Sequence, residues 1–143
     1  MSQADVDVVL KQYRDTNARD FAAVMDAYAD DVELVAHGER FGLLGGRVTG
    51  KHAVGEWFGD WFRQFDRGYR FEVEEARDVG GRVLLVATHH GRGRDSGVPV
   101  GERWAYAYTL RDEKVVAVEI WADREARATA LKALGSQDQV DRA

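Results

Sequence analysis

Between Gly50 and Phe65 the chain carries two apolar rows at helical spacing. Ala53, Trp57 and Trp61 form one, and Val54, Phe58, Phe62 and Phe65 the other. A helix apolar over so wide an arc keeps little free surface, so it must be enclosed between a sheet and a further layer. The 143 residues are enough to build that enclosure as one domain with a real core. With no cysteine, disulfides, thiolate nucleophiles and thiolate metal sites are excluded, and packing alone must hold the enclosure. The formal charge of -5 offers no basic field for nucleic acid or an anionic membrane surface. The opening residues MSQADVDVV contain neither a basic nor an apolar signal region, and no stretch reaches the length of a membrane span. The expectation is a cytoplasmic protein.

The rest of the chain supplies the enclosing elements. Val6, Val9, Leu10, Tyr13 and Asn17 repeat at three and four residues and predict a first helix. Asp20 caps a second, whose stripe is Phe21, Val24, Met25 and Tyr28. A short strand follows over 32–37, with Val32, Leu34 and Ala36 on one face and Glu33, Val35 and His37 on the other. The glycine-rich stretch 38–48 reads as a loop, and Thr49 as the cap of the aromatic helix. After Phe65 the period becomes two. Strands are expected over 69–77, 83–90, 102–110 and 115–122, with turns at Val79-Gly80-Gly81-Arg82 and Arg111-Asp112-Glu113-Lys114. The run Val83 to Ala87 is wholly apolar and implies burial on both faces. Asp123 caps a last helix that Gly135 stops, leaving 136–143 as a flexible polar tail.

Closely connected late strands favour antiparallel pairing. The expected fold is α+β: three N-terminal helices packed on a curved, mostly antiparallel sheet, with a short C-terminal helix, in one cone-like domain over 1–135.

Five segments carry a family resemblance: Asn17-Ala18-Arg19-Asp20-Phe21, Tyr28-Ala29-Asp30-Asp31-Val32, Gly50-Lys51-His52-Ala53-Val54, Leu110-Arg111-Asp112-Glu113-Lys114-Val115-Val116 and Trp121-Ala122-Asp123-Arg124-Glu125-Ala126. In order and spacing they resemble the SnoaL-like families of the nuclear transport factor 2-like superfamily, over residues 6 to 135. The resemblance implies a cone with an apolar pocket at its wide end, usually in a homodimer packed through the sheet. Such a pocket suits an apolar small molecule such as a steroid, polyketide or terpene. The fold hosts isomerases, cyclases, epoxide hydrolases, dehydratases and proteins without catalysis, so it implies no single activity. Matched to the ketosteroid-isomerase branch, the base position falls on Ala36, the acid near Tyr106 and the first-helix tyrosine near Gln12, with Tyr13 one step away. Alanine takes no proton. The paired aspartates of the limonene-epoxide-hydrolase branch are absent from 103–108 and 117–122. A polyketide-cyclase-like reaction asks only for one acid–base group and a shaped pocket.

For that group the sequence offers His37, His89 or His90, and Glu119. An imidazole titrates near neutrality and serves in both directions. His37 reads either as a pocket base or as a hydrogen-bonded residue at a strand end. His89 and His90 face opposite ways, so at most one enters the pocket. Glu119, between apolar neighbours, reads as an acid–base group or as half of a structural ion pair, and the parity of its strand is open. Tyr13, Trp57, Trp61, Trp104, Tyr106 and Trp121 are the candidate ligand-binding residues, with Tyr13 a donor to a ligand carbonyl. They equally serve as filling for the cone. No metal set and no cofactor motif is visible, and the arginines of Gly91 to Gly97 lack a phosphate-cradling pattern. The sequence leaves two readings open: an isomerase or cyclase acting on a hydrophobic carbonyl compound, and a non-catalytic dimeric binding domain.

Overall fold

The computed structural model describes residues 3–38, 41, 45–122 and 124–142, with 136–142 as backbone alone. Its elements run α1 (Gln3–Asn17), α2 (Phe21–Asp26), β1 (Tyr28–His37), β2 (Gly46–Thr49), α3 (Lys51–Phe62), β3 (Arg70–Val79), β4 (Arg82–Arg92), β5 (Pro99–Arg111), β6 (Lys114–Trp121) and α4 (Ala126–Arg142). The strands form one sheet in the order β2-β1-β6-β5-β4-β3. Only β1 and β6 pair in parallel; the other neighbours are antiparallel.

The expected α+β architecture stands, with local differences. Tyr28 begins β1 instead of ending α2. The carbonyl of Ala27 accepts from Val115 at 2.8 Å, and Tyr28 then pairs with Val115, so sheet hydrogen bonds outweigh the helical spacing of the stripe. Part of the expected 38–48 loop is β2, which pairs Leu34 with Val48. Thr49 closes β2, and Gly50 takes the cap position of α3 with φ 98° and no side-chain cap bond. A positive φ there is one that glycine adopts without steric cost. Asp20 caps α2 as expected, accepting from Ala23 at 3.2 Å. Asp123 lies outside the described residues. The helix after it passes through Gly135 and continues to Arg142, where a polar tail was expected. One glycine costs a helix only about 1 kcal/mol, and no proline follows to end it.

The turn between α1 and α2 is clamped to β3. Asn17 exchanges two 2.8 Å hydrogen bonds with the backbone of Phe71, and Arg19 donates to the Tyr69 carbonyl at 2.8 Å. Both helices are thereby held over the inner face of the sheet.

Alternation along β4 and β5 feeds two cores. Val83, Leu85, Ala87, Trp104, Tyr106 and Tyr108 point inward to the helices α1 to α3. Leu84, Val86, Ala105 and Ala107 point outward to Ala126, Ala130 and Leu134 of α4. This explains the wholly apolar run in β4. It also supplies, from the same chain, a second layer over the sheet. A bulge at Glu74 leaves both Glu74 and Glu75 in the outer polar network: Glu74 bonds Thr88 and Arg103, and Glu75 bonds Arg127 at the start of α4 at 2.7 Å.

Candidate active or binding cavity

Inside the cone lies a cavity of about 340 Å³, within the size range of small-molecule sites. α1 contributes Gln12, Tyr13 and Thr16; α2 contributes Phe21, Val24 and Met25. α3 contributes Trp57, Phe58, Trp61 and Phe62, and the sheet contributes Phe71, Trp104, Tyr106, Tyr108 and Ile120. Phe21 is 40 % exposed. The expected ligand-binding residues Tyr13, Trp57, Trp61, Trp104 and Tyr106 all line this space. The two rows of α3 do so together, because Trp57 and Trp61 stack at 6.4 Å while Phe62 reaches Phe71 at 6.2 Å. Phe41, the buried residue described in the segment before β2, packs on Trp57, Trp61 and Trp104 with centroids 5.0–5.7 Å away.

The cavity is mostly apolar; apart from Arg63, just past α3, its polar groups gather at one place. There the Tyr13 and Tyr108 hydroxyls lie 2.6 Å apart, and the Gln12 amide nitrogen donates to the Tyr28 hydroxyl. Burial first, and the neighbouring phenols after it, push the Tyr13 hydroxyl well above its ordinary pKa. Burial likewise raises Tyr28, Tyr106 and Tyr108. All four phenols stay protonated at neutral pH, and the cluster presents hydrogen-bond donors, not bases. In the sequence Gln12 stands out only as the place where the family resemblance puts a first-helix tyrosine, and Tyr28 only as part of a helical stripe. The available signal was a polar residue inside a buried stripe: Val6, Val9, Tyr13 and Thr16 are buried together with Gln12 on α1.

The acid–base candidates lie elsewhere. His89 points inward but does not reach the cavity wall. It is fully buried and enclosed by Trp61, Phe65, Tyr69, Phe71 and Trp104 at centroid distances of 4.3–6.4 Å. Its Nδ1 is 2.6 Å from the Tyr69 hydroxyl, which also accepts from the Trp61 indole at 2.8 Å. Its Nε2 is 3.7 Å from Glu102, which accepts from the Trp104 indole at 3.1 Å. His89 therefore braces Trp61 and Trp104, two of the three tryptophans in the cavity wall. Gly91 makes room for this arrangement, since a Cβ there would sit 3.0 Å from the Tyr69 Cα.

His37, Glu119 and Trp121 are on the outer face, which corrects their assignment to the pocket. In register, Glu119 lies opposite Ala107 and Trp121 opposite Ala105, both of which face α4. The three residues do meet one another. His37 Nε2 is 2.8 Å from Glu119, Arg82 donates to the other Glu119 oxygen at 3.3 Å, and the His37 ring stacks on Trp121 at 5.1 Å. The structural reading of Glu119 as half of an ion pair holds. His90 pairs with Glu72 at 3.1 Å, also outside the cavity. Ala36 faces the core and, as the sequence implied, brings no base. Among the described residues no group of three or more His, Asp or Glu is placed to hold a metal ion, and no helix is long and apolar enough to cross a membrane.

Comparison with known proteins places this geometry. No curated protein sequence matches the chain. Among solved structures, TerC co-crystallised with polyporic acid is similar at 23% identity and a TM-score of 0.73, covering 92% of this chain and 98% of that one. A putative SnoaL-like polyketide cyclase from Jannaschia sp. CCS1 is similar at 20% identity and 0.74, covering 93% and 96%. RV0760c from Mycobacterium tuberculosis, in complex with estradiol-17beta-hemisuccinate, is similar at 16% identity and 0.70, covering 87% and 98%. These likenesses show the fold. A family model described as a SnoaL-like domain matches residues 9–118, from α1 into β6, and the chain belongs to the SnoaL-like domain family.

Proposed function

We propose that the protein binds a compact apolar ring compound through one oxygen substituent, seated at the Tyr13–Tyr108 end of the cavity. The observation that carries this reading is the cluster of phenols, held neutral by burial, that faces a mostly apolar cavity. The rings of Trp57, Trp61 and Trp104 give flat contact surfaces, and the hydroxyls fix the orientation of the oxygen. Two of the similar structures hold ligands, polyporic acid in TerC and estradiol-17beta-hemisuccinate in RV0760c, in keeping with a ligand-holding cone.

The same donors favour a second reading, an isomerase or cyclase acting on a hydrophobic carbonyl compound. Neutral phenols at a carbonyl oxygen stabilise charge that develops there. Removal of a proton from the adjacent carbon needs a base, and no Asp, Glu or His is among the described lining residues. Binding is therefore the primary reading. Catalysis would be confined to ring closures for which orientation and carbonyl polarisation suffice.

Titration of the intrinsic tryptophan fluorescence with polyporic acid and with estradiol tests it. A saturable change is expected, weakened about tenfold in Tyr108→Phe, the magnitude of one lost buried hydrogen bond. Absence of a saturable response to either compound overturns the reading.

A further inference from the structure

We infer that the cavity's ligand carries a second, anionic substituent such as a carboxylate, and that Arg63 holds it at the mouth. This rests on the cavity being a ligand site. Arg63 is the one charged side chain among the described lining residues. Gly55, Gly59 and Arg63 stand four residues apart, so they follow one another along one side of α3 and just past its end, and all three border the cavity. Neither glycine brings a side chain to this edge. Helical side chains lean toward the N-terminus, and Arg63 lies back along the row: its Nη1 is 3.2 Å from the point that a Cβ on Gly59 would occupy. Glycine weakens a helix interior; here it leaves room for a guanidinium at the cavity edge. The Arg63 side chain is 65% exposed. Phe21, which also lines the space while exposed, packs at 5.4 Å on Phe62, the residue before Arg63. Two exposed lining residues so placed mark where the cavity meets solvent.

An exposed arginine paired with Asp60 would elsewhere be ordinary surface. Here it stands at a cavity edge, and the chain around it is basic. Arg19 donates to the carbonyls of Arg67 and Tyr69. The Arg94 N–H donates to the Gln64 carbonyl at 2.8 Å, and the Arg92 carbonyl accepts from the Asp66 N–H at 2.9 Å. Arg70 opens β3. With Arg63 these are six arginines, against Asp20, Asp60, Asp66 and Asp95 in the same segments, in a chain whose formal charge is -5. A local positive excess on an acidic protein draws small anions to that end of the molecule. Asp60 bonds the guanidinium through Nη2, and among the described residues the guanidinium makes no other hydrogen bond. It has five N–H donors, so donors remain for an anion. A carboxylate at the mouth also stays partly in water, so the ligand buries its rings without burying its charge.

The test is calorimetric titration of the whole chain at neutral pH with 6-hydroxy-2-naphthoic acid, its neutral carboxamide and 2-naphthol, for the wild type, Arg63→Gln and Arg103→Gln. Arg103 is paired with Glu74 on the outer face, so its variant makes the same change of charge away from the cavity. Far-UV circular dichroism checks that each variant is folded. The wild type is expected to bind the acid about fivefold more tightly than the carboxamide, the upper range for a part-exposed charge pair, and added salt should shrink the difference. Arg63→Gln loses the preference by losing affinity for the acid alone, and Arg103→Gln keeps it. Equal binding of acid and carboxamide by the wild type overturns the inference. So does a preference that survives in Arg63→Gln, or one lost equally in Arg103→Gln, which would show a general field and no contact. Binding of 2-naphthol without either larger compound overturns the inference and leaves the cavity reading standing. Failure of all three to bind overturns the cavity reading itself, and this inference with it.

Discussion

On the inner face of the sheet, His89 is fully buried and bonded to Tyr69 inside a shell of aromatic rings. On the outer face, His37 meets Glu119 at 2.8 Å with side chains that remain 42% and 31% exposed. Both are histidines on strands with a carboxylate nearby. Inside, each polar atom of the Tyr69–His89 pair is out of reach of water, so its hydrogen bonds decide the positions of Trp61 and Trp104. Outside, water competes for the His37–Glu119 contact, and its net contribution is small. What separates a positioning histidine from a surface pair is therefore the medium around it, not the pair of residue types.

The largest effect that would break this comparison is in the interior. His89→Ala is expected to lower stability by about 3–5 kcal/mol, combining a cavity in a packed ring cluster with a stranded Tyr69 hydroxyl. Chemical denaturation measures it, and a loss below about 1 kcal/mol would remove the distinction between the faces.

An intermediate effect is expected at Glu75, where the Arg127 and Arg77 hydrogen bonds hold the carboxyl down at about 2. A folded-state pKa below the unfolded one stabilises the protein above pH 4.5 and is lost as pH falls through about 2. Glu75→Gln should therefore lower Tm at pH 7 by a few degrees. Melting curves of the two proteins should converge as pH falls from 4.5 toward 2. A constant difference across that window would assign the effect to something other than the carboxylate charge.

The smallest effect is expected at the outer pair. His37→Ala or Glu119→Gln should change stability by less than about 1 kcal/mol and leave ligand titrations of the cavity unchanged. A change in ligand affinity in either variant would couple the two faces.

Much of the fold was legible because periodicity survives tertiary packing. The two-sided burial of Val83 to Ala87 and the aromatic crowding of α3 translate directly into a strand between two layers and a helix inside a cone. β2 was not legible, since its few residues pair with β1 across a glycine-rich stretch that has no period of its own. The cavity's ring wall was legible from the rows of α3 and β5. The placement of His37, Glu119 and Trp121 was not. Alternation within β6 defines two faces but does not name the inner one; the register with β5, where Glu119 lies opposite Ala107, does. The polar end of the cavity was hidden for a different reason. Gln12 and Tyr28 belong to a helix stripe and a strand start that resemble ordinary core until Tyr108 arrives from the far half of the sequence.

The parallel pairing of β1 with β6 has a consequence for how the molecule is made. Strands β3 to β6 follow one another through local antiparallel pairings, while β1 must wait for the last strand of the sheet to emerge before it finds its parallel neighbour. Contacts so distant along the chain carry a loop-closure cost and slow folding. On the ribosome, β1 can meet β2 and α3 early, but its other edge stays open until β6 appears, and that interval is when a nascent chain of this topology most needs protection from aggregation.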